Sequence, residues 1–278
     1  MNKILNRLAQ SLLLLSTILT TAKVNALATP MIIGGTDVAA NDPIAQTTVL
    51  IIGKYLRSSF TCTGSIVGPD LILTAGHCLG PYAAAEIKVL FRTRKDGPGP
   101  EIKALRQMRA YDETPTQSKD WNDIALIRLA SPIPAGYHPA KLITDTSALI
   151  AGAPIILAGY GVNTLDSSGG GDFGLGVLRK VDQVIIDPHY GHTEVLVDIH
   201  NKGSCRGDSG GPAFVQINDE LLLWGAASRM TENDAIPGSG NGHGGGKDYA
   251  CTVDLVYTNI LAQAEWLRQA AIELHKPK

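Results

Sequence analysis

Short runs of β-branched and aliphatic residues, each closed off by glycine or proline, recur along this chain and leave it few folds to choose from. They fall at 48–52, 64–67, 71–74, 87–91, 124–129, 155–158, 178–185, 195–198, 212–215 and 221–227. Turn signals such as Gly68-Pro69-Asp70 and Asp96-Gly97-Pro98-Gly99-Pro100 separate them. Many short strands with glycine and proline turns predict an all-β sandwich or barrel. A helical spacing appears only near the end, where Ile260, Ala264, Leu267, Ala271 and Leu274 share one side and Glu265, Arg268, Gln269 and Glu273 the other. That pattern predicts a C-terminal helix docked on the β core.

The chain of 278 residues carries 24 basic and 26 acidic side chains, for a net charge of −2. A nucleic-acid binder would show a basic excess, so that class is excluded. Residues 1–28 read as a secretory signal: Lys3 and Arg7, then an apolar run over Leu12–Leu15, Ile18 and Leu19, then the small-x-small pattern Ala26-Leu27-Ala28, with Val24-Asn25-Ala26 competing. The apolar run is too short for a bilayer span, and no later stretch is long enough, so no membrane partner is expected. Cleavage after Ala28 removes three basic residues and no acid, giving 21 against 26 and a net −5. The expected destination is extracellular or periplasmic, and oxidising, so Cys62, Cys78, Cys205 and Cys251 are read as disulfide-bonded. Three pairings are open, though Cys62 and Cys78 are close enough to clip one local excursion. The glycine-rich stretches 167–176 and 238–246 read as surface loops. His243, in the second, has no companion ligands, so neither a metal nor a cofactor is expected.

Gly207-Asp208-Ser209-Gly210-Gly211-Pro212 is the sharpest local signal. Small neighbours leave the serine hydroxyl uncovered and the backbone N–H groups approachable, as an acyl-transfer nucleophile requires. A serine also needs a base. His77, in Thr74-Ala75-Gly76-His77-Cys78, follows an apolar run and sits beside a cysteine. The base needs an orienting carboxylate, and Asp123 heads Asp123-Ile124-Ala125-Leu126-Ile127-Arg128-Leu129. A carboxylate there is costly unless hydrogen-bonded. The order His, Asp, Ser also argues against an α/β-hydrolase elbow, which would place its acid and histidine after the serine.

With Ile32-Ile33-Gly34-Gly35 added, these motifs resemble the trypsin/chymotrypsin-like serine peptidases, over nearly all of 32–278. The separations 77 to 123, 123 to 209 and 62 to 78, at 46, 86 and 16 residues, also resemble the family. The resemblance implies two perpendicular six-stranded antiparallel β-barrels, roughly 44–132 and 145–260, followed by the helix. It implies an endopeptidase with His77, Asp123 and Ser209 catalytic, the N–H groups of Gly207 and Ser209 as oxyanion hole, and Ser228 bonded to the triad carboxylate. It implies a Cys205–Cys251 pair. It implies a zymogen-type switch in which the α-amino group of Ile32 pairs with Asp208, after removal of a short propeptide, 29–31. Protein or peptide substrates and protein inhibitors are the expected partners, and the expected state is a monomer.

Two of this sequence's departures from the family bear on activation and specificity. Met31, not Lys or Arg, precedes Ile32, so a trypsin-like activator would not cut there. Gly203 stands six residues before Ser209, where trypsin-like members carry Asp. With no charge there, and with Met230 and Leu255 narrowing the pocket, cleavage after small or medium apolar residues is expected. A protease-fold binding protein without catalysis is the competing class; such proteins usually lose a triad member, and this chain keeps all three.

Overall fold

Strand β7 (Ile124–Leu129) is apolar almost without a break because it buries two faces. Ala125, Ile127 and Leu129 fill one core, while Ile124 and Leu126 join a second. The same division appears in β2 (Thr48–Tyr55), where Val49 and Ile51 enter the first core and Leu50 the second. The first core is the interior of a barrel, and the second runs from its outer face into the rest of the protein. A strand buried on both sides reads as a continuous run instead of an alternating one.

The computed structural model describes residues 32–55, 58–80, 83–111, 120–163, 174–198, 202–231 and 254–277. The expectations for 1–28, 29–31, 238–246, His243 and Cys251, and most of 167–176, lie outside them. The N-terminal barrel adds β3 (Ser58–Ile66), β4 (Leu71–Thr74), β5 (Ile87–Leu90) and β6 (Glu101–Ala110), and closes in the order β2-β3-β4-β7-β6-β5. The C-terminal barrel comprises β9 (Pro154–Gly159), β10 (Arg179–Asp187), β11 (Glu194–Val197), β12 (Pro212–Ile217), β13 (Glu220–Met230) and β14 (Leu255–Asn259). Its order is β10-β11-β14-β13-β12-β9, and β9 pairs with β10 to close it. Closure leaves neither barrel with a bare edge. Both barrels are antiparallel. Two short strands lie outside the closures: β1 (Thr36–Asp37) extends the sheet beyond β10, and β8 (Lys141–Leu142) runs parallel to β13. This is the all-β two-barrel architecture expected from the sequence.

The helices are few. A five-residue helix, α1 (Pro43–Thr47), is capped by the Asp42 carboxylate, which accepts the Ile44 N–H. The C-terminal helix α2 (Ala264–His275) is present, with Ala270 and Leu274 buried. Its expected apolar side needs one adjustment: Ala264, in the first turn, is exposed, and Ala270 packs in its stead. The helix lies against β6 and β7 of the first barrel. There the guanidinium groups of Arg106 and Arg128 donate to the Leu274 carbonyl, at 3.1 and 3.0 Å, where the helix leaves carbonyls unpaired. No helix among the described residues is long and apolar enough to cross a membrane.

Candidate active site

The chain places His77 just beyond β4, in the turn Gly76–Leu79. Cys78 in that turn is bonded to Cys62 of β3, so the histidine is anchored on both sides. Cys205 is likewise in a disulfide. Asp123 precedes β7, which pairs with β4, and strand pairing thus carries the two side chains to one end of the barrel. The His77 Nδ1 and Asp123 Oδ2 atoms are 2.8 Å apart, and the His77 backbone N–H donates to Oδ1 at 2.9 Å. From β13 of the other barrel, the Ser228 hydroxyl donates to Oδ2 at 2.7 Å. The Thr258 hydroxyl of β14 donates to the Asp123 carbonyl at 3.0 Å. Asp123 is fully buried, and these donors meet the cost of burying its charge.

Burial raises the Asp123 pKa, but the nearby imidazole and the hydrogen bonds from His77 and Ser228 outweigh it and hold the carboxyl below its usual range. For His77 burial works downward, and the Asp123 charge and hydrogen bond outweigh it to raise the imidazole above its ordinary value. The ring stays about a third exposed, at 32%, and its other nitrogen lies 3.8 Å from Cys78 Sγ.

Ser209 reaches the same place through its backbone. The Thr63 N–H of β3 donates to the Ser209 carbonyl at 2.9 Å, and that carbonyl lies 3.7 Å from Cys78 Sγ. Gly210 makes the approach sterically feasible. Its φ is +76°, and a Cβ there would fall 2.0 Å from Thr74 Oγ1 and 2.6 Å from the Ala75 nitrogen. Gly207 has φ +96°, and its carbonyl accepts the Thr63 hydroxyl at 2.9 Å. Among the described residues, no backbone carbonyl accepts the N–H of Gly207 or of Ser209. Nor does the Ser209 hydroxyl bond to His77 among the hydrogen bonds of the described residues. Such contacts are often long in a ligand-free site and tighten when substrate arrives.

Asp208 is buried. Its oxygens accept the N–H groups of Gly161 at 2.7 Å and Cys205 at 2.8 Å. Burial pushes its pKa up to about 7, and the two N–H donors and the charge of Arg179 offset only part of that. Ile32 is fully buried, and Ile33 pairs with Gly203, whose N–H donates to the Ile33 carbonyl at 2.8 Å.

Beside Ser209 lies a cavity of about 120 Å³, lined in part by Ser204, Ala227, Arg229, Met230 and Leu255. Met230 and Leu255 are among the residues that line it, whereas Gly203 is not. Its neighbour Ser204 takes that position, its hydroxyl 2.8 Å from the Tyr257 hydroxyl. Sequence reasoning missed Ser204, Thr63 and Thr258. Counting back from Ser209 one residue short of Gly203 would have found Ser204, but nothing local marks the two threonines. The tightest His and Cys grouping, Cys62, His77 and Cys78, spends both sulfurs on a disulfide and offers no thiolate to a metal.

A buried Asp–His pair beside a glycine-flanked serine, between two β-barrels, defines the class: the protein is a serine endopeptidase, a hydrolase acting on protein or peptide substrates. The family model named trypsin matches residues 32–243, and the chain belongs to that trypsin/chymotrypsin-like family. It is 28% identical to a trypsin from Sarcophaga bullata over 60% of this chain and 70% of that one. It is 27% identical to brachyurin from Leptuca pugilator, over 71% and 85%. With a tryptase from Mus musculus the identity is 26%, over 81% and 88%.

Proposed function

We propose that Ser209 Oγ attacks the scissile carbonyl while His77 takes its proton and returns it to the leaving amine. Asp123 fixes the imidazole tautomer and stabilises the imidazolium, and Ser228 holds Asp123. The N–H groups of Gly207 and Ser209 receive the developing oxyanion. The observation that carries this reading is the 2.8 Å contact between His77 and a buried Asp123, with the Ser209 loop packed on the same turn. Preference falls on small or medium apolar residues, because Met230 and Leu255 line the cavity and Gly203 brings no charge. Maturation is a cut before Ile32 that supplies Asp208 with a cation. The protein is exported through residues 1–28 and acts as a monomer open to protein inhibitors.

Peptide-library digestion by the mature protein, beside a Ser209→Ala control, tests the core of this. Cleavage after Ala, Val or Leu by the parent alone is expected. Strong cutting after Lys or Arg would overturn the pocket assignment, and equal cutting by the control would overturn the nucleophile. N-terminal sequencing of active material should read Ile32-Ile33-Gly34-Gly35; an active enzyme beginning at Thr29 refutes the switch.

A further inference from the structure

The tetrapeptide 120–123 leads into the N-terminal barrel, yet every one of its residues is fastened to the C-terminal half of the chain. The Asp120 carboxylate accepts the N–H groups of His192 and Thr193 at 2.9 and 2.8 Å, and the Thr193 hydroxyl at 3.0 Å. The Trp121 N–H donates to Glu194 Oε1 at 2.8 Å. Asn122, in a left-handed conformation at φ +48°, accepts the Gln263 amide at 2.8 Å. Asp123 takes the hydroxyls of Ser228 and Thr258.

Glu194 is the hub. Its carboxylate is fully enclosed and receives Arg229 through two parallel bonds, NH1 at 2.6 Å and NH2 at 2.7 Å. Arg229 directly follows Ser228, and its guanidinium lies 4.4 Å over the Trp121 ring. A two-pronged arginine–carboxylate pair fixes orientation as well as distance. The stacked indole ties the same arginine to the residue two before Asp123. Trp121 in turn packs on Tyr111, which meets the His77 ring edge-on at 6.3 Å. One buried carboxylate thus sets both approaches to Asp123: its own loop through Trp121, and its hydroxyl donor Ser228 through Arg229.

We infer that Glu194 is a positioning residue for the catalytic dyad, acting through Arg229 and Trp121 to align Asp123 and Ser228 across the two barrels. It touches neither substrate nor a reacting atom. The inference rests on the proposed triad. Its loss should therefore appear in turnover and not in substrate binding, since small misplacements of a catalytic group cost up to about 10²-fold in rate.

The test compares the mature parent with Glu194→Gln and with the double variant Glu194→Met plus Arg229→Met, which removes both charges of the Glu194–Arg229 pair. Active sites are counted by the end point of organophosphonate labelling, and melting temperature is measured alongside. The expected result is kcat per labelled site lowered about 10- to 100-fold in both variants, KM within about twofold of the parent in Glu194→Gln, which leaves the cavity-lining Arg229 in place, and a double variant that melts near the parent. Unchanged kcat per site with a lowered melting temperature would make Glu194 structural only and overturn the inference. A raised KM at unchanged kcat in Glu194→Gln would assign it to substrate binding and also overturn it. A parent that takes no label would instead defeat the triad reading itself.

Discussion

While residues still precede Ile32, Asp208 should make the stability of the chain fall as pH rises. The carboxyl is enclosed and titrates at about 7 instead of 3.8, chiefly because burial disfavours its charge. Below about pH 4 the group is protonated folded and unfolded alike, and costs nothing. Between about 4 and 7 the unfolded chain gives up this proton while the folded chain keeps it, so the fold loses ground steadily. Above 7 the fold carries the full penalty. At about 1.4 kcal/mol for each pH unit, that penalty reaches roughly 4 kcal/mol. Asp208→Asn removes the titration and leaves only a constant cost for the altered hydrogen bonds. Urea unfolding between pH 4 and 8 of an untrimmed Ser209→Ala chain, with and without Asp208→Asn, isolates the effect. The Asn variant should gain roughly 4 kcal/mol on its parent across that range. A difference that stays constant with pH would refute the reasoning. Trimming to Ile32 should abolish the trend, because an α-ammonium group then compensates the carboxylate.

Three shorter tests follow from the same geometry. Asp123→Asn should lower kcat about 10⁴-fold by freeing the imidazole tautomer, and bring the His77 pKa down; NMR titration of the ring measures the second effect, and an unchanged ring pKa would contradict it. Because Asp123 raises His77 above 6.5 and the base must be neutral, kcat/KM should climb with pH through a midpoint above 6.5, and a midpoint at or below that value would count against the pair. Gly76→Ala places a Cβ 2.8 Å from the Ala110 carbonyl and 2.7 Å from Tyr111 Cβ, so thermal melts should show a loss of about 1–3 kcal/mol, whereas an unshifted melt would mean that the edge of β6 yields freely.

The strands that announced themselves in the sequence were those whose side chains are buried together, such as β7. Strand β6 did not: Glu101, Lys103, Ala104, Leu105, Arg106, Gln107 and Met108 are residues of good helix propensity, and the stretch is a strand because β5 and β7 need a partner between them to close the barrel. The same holds for β14, whose apolar run stands next to a long glycine-rich insertion. His77, Asp123 and the serine loop were legible because each requires a particular local chemistry. Glu194 was not, since its meaning comes only from Arg229 and Trp121 arriving from distant parts of the chain. Ser204 hid beside Gly203 because the pocket wall is set by the direction in which a backbone turns, which spacing along the chain does not encode.

Helix α2 follows both barrels in the chain, yet its seat is on the first of them. Until those final turns emerge, Arg106 and Arg128 have no helix end to cap, and the outer side of β6 and β7 stays uncovered. The first half can therefore form its strands early but completes its surface only after the second barrel has been made. A chain that stops short of Ala264 would leave this face of the first barrel bare.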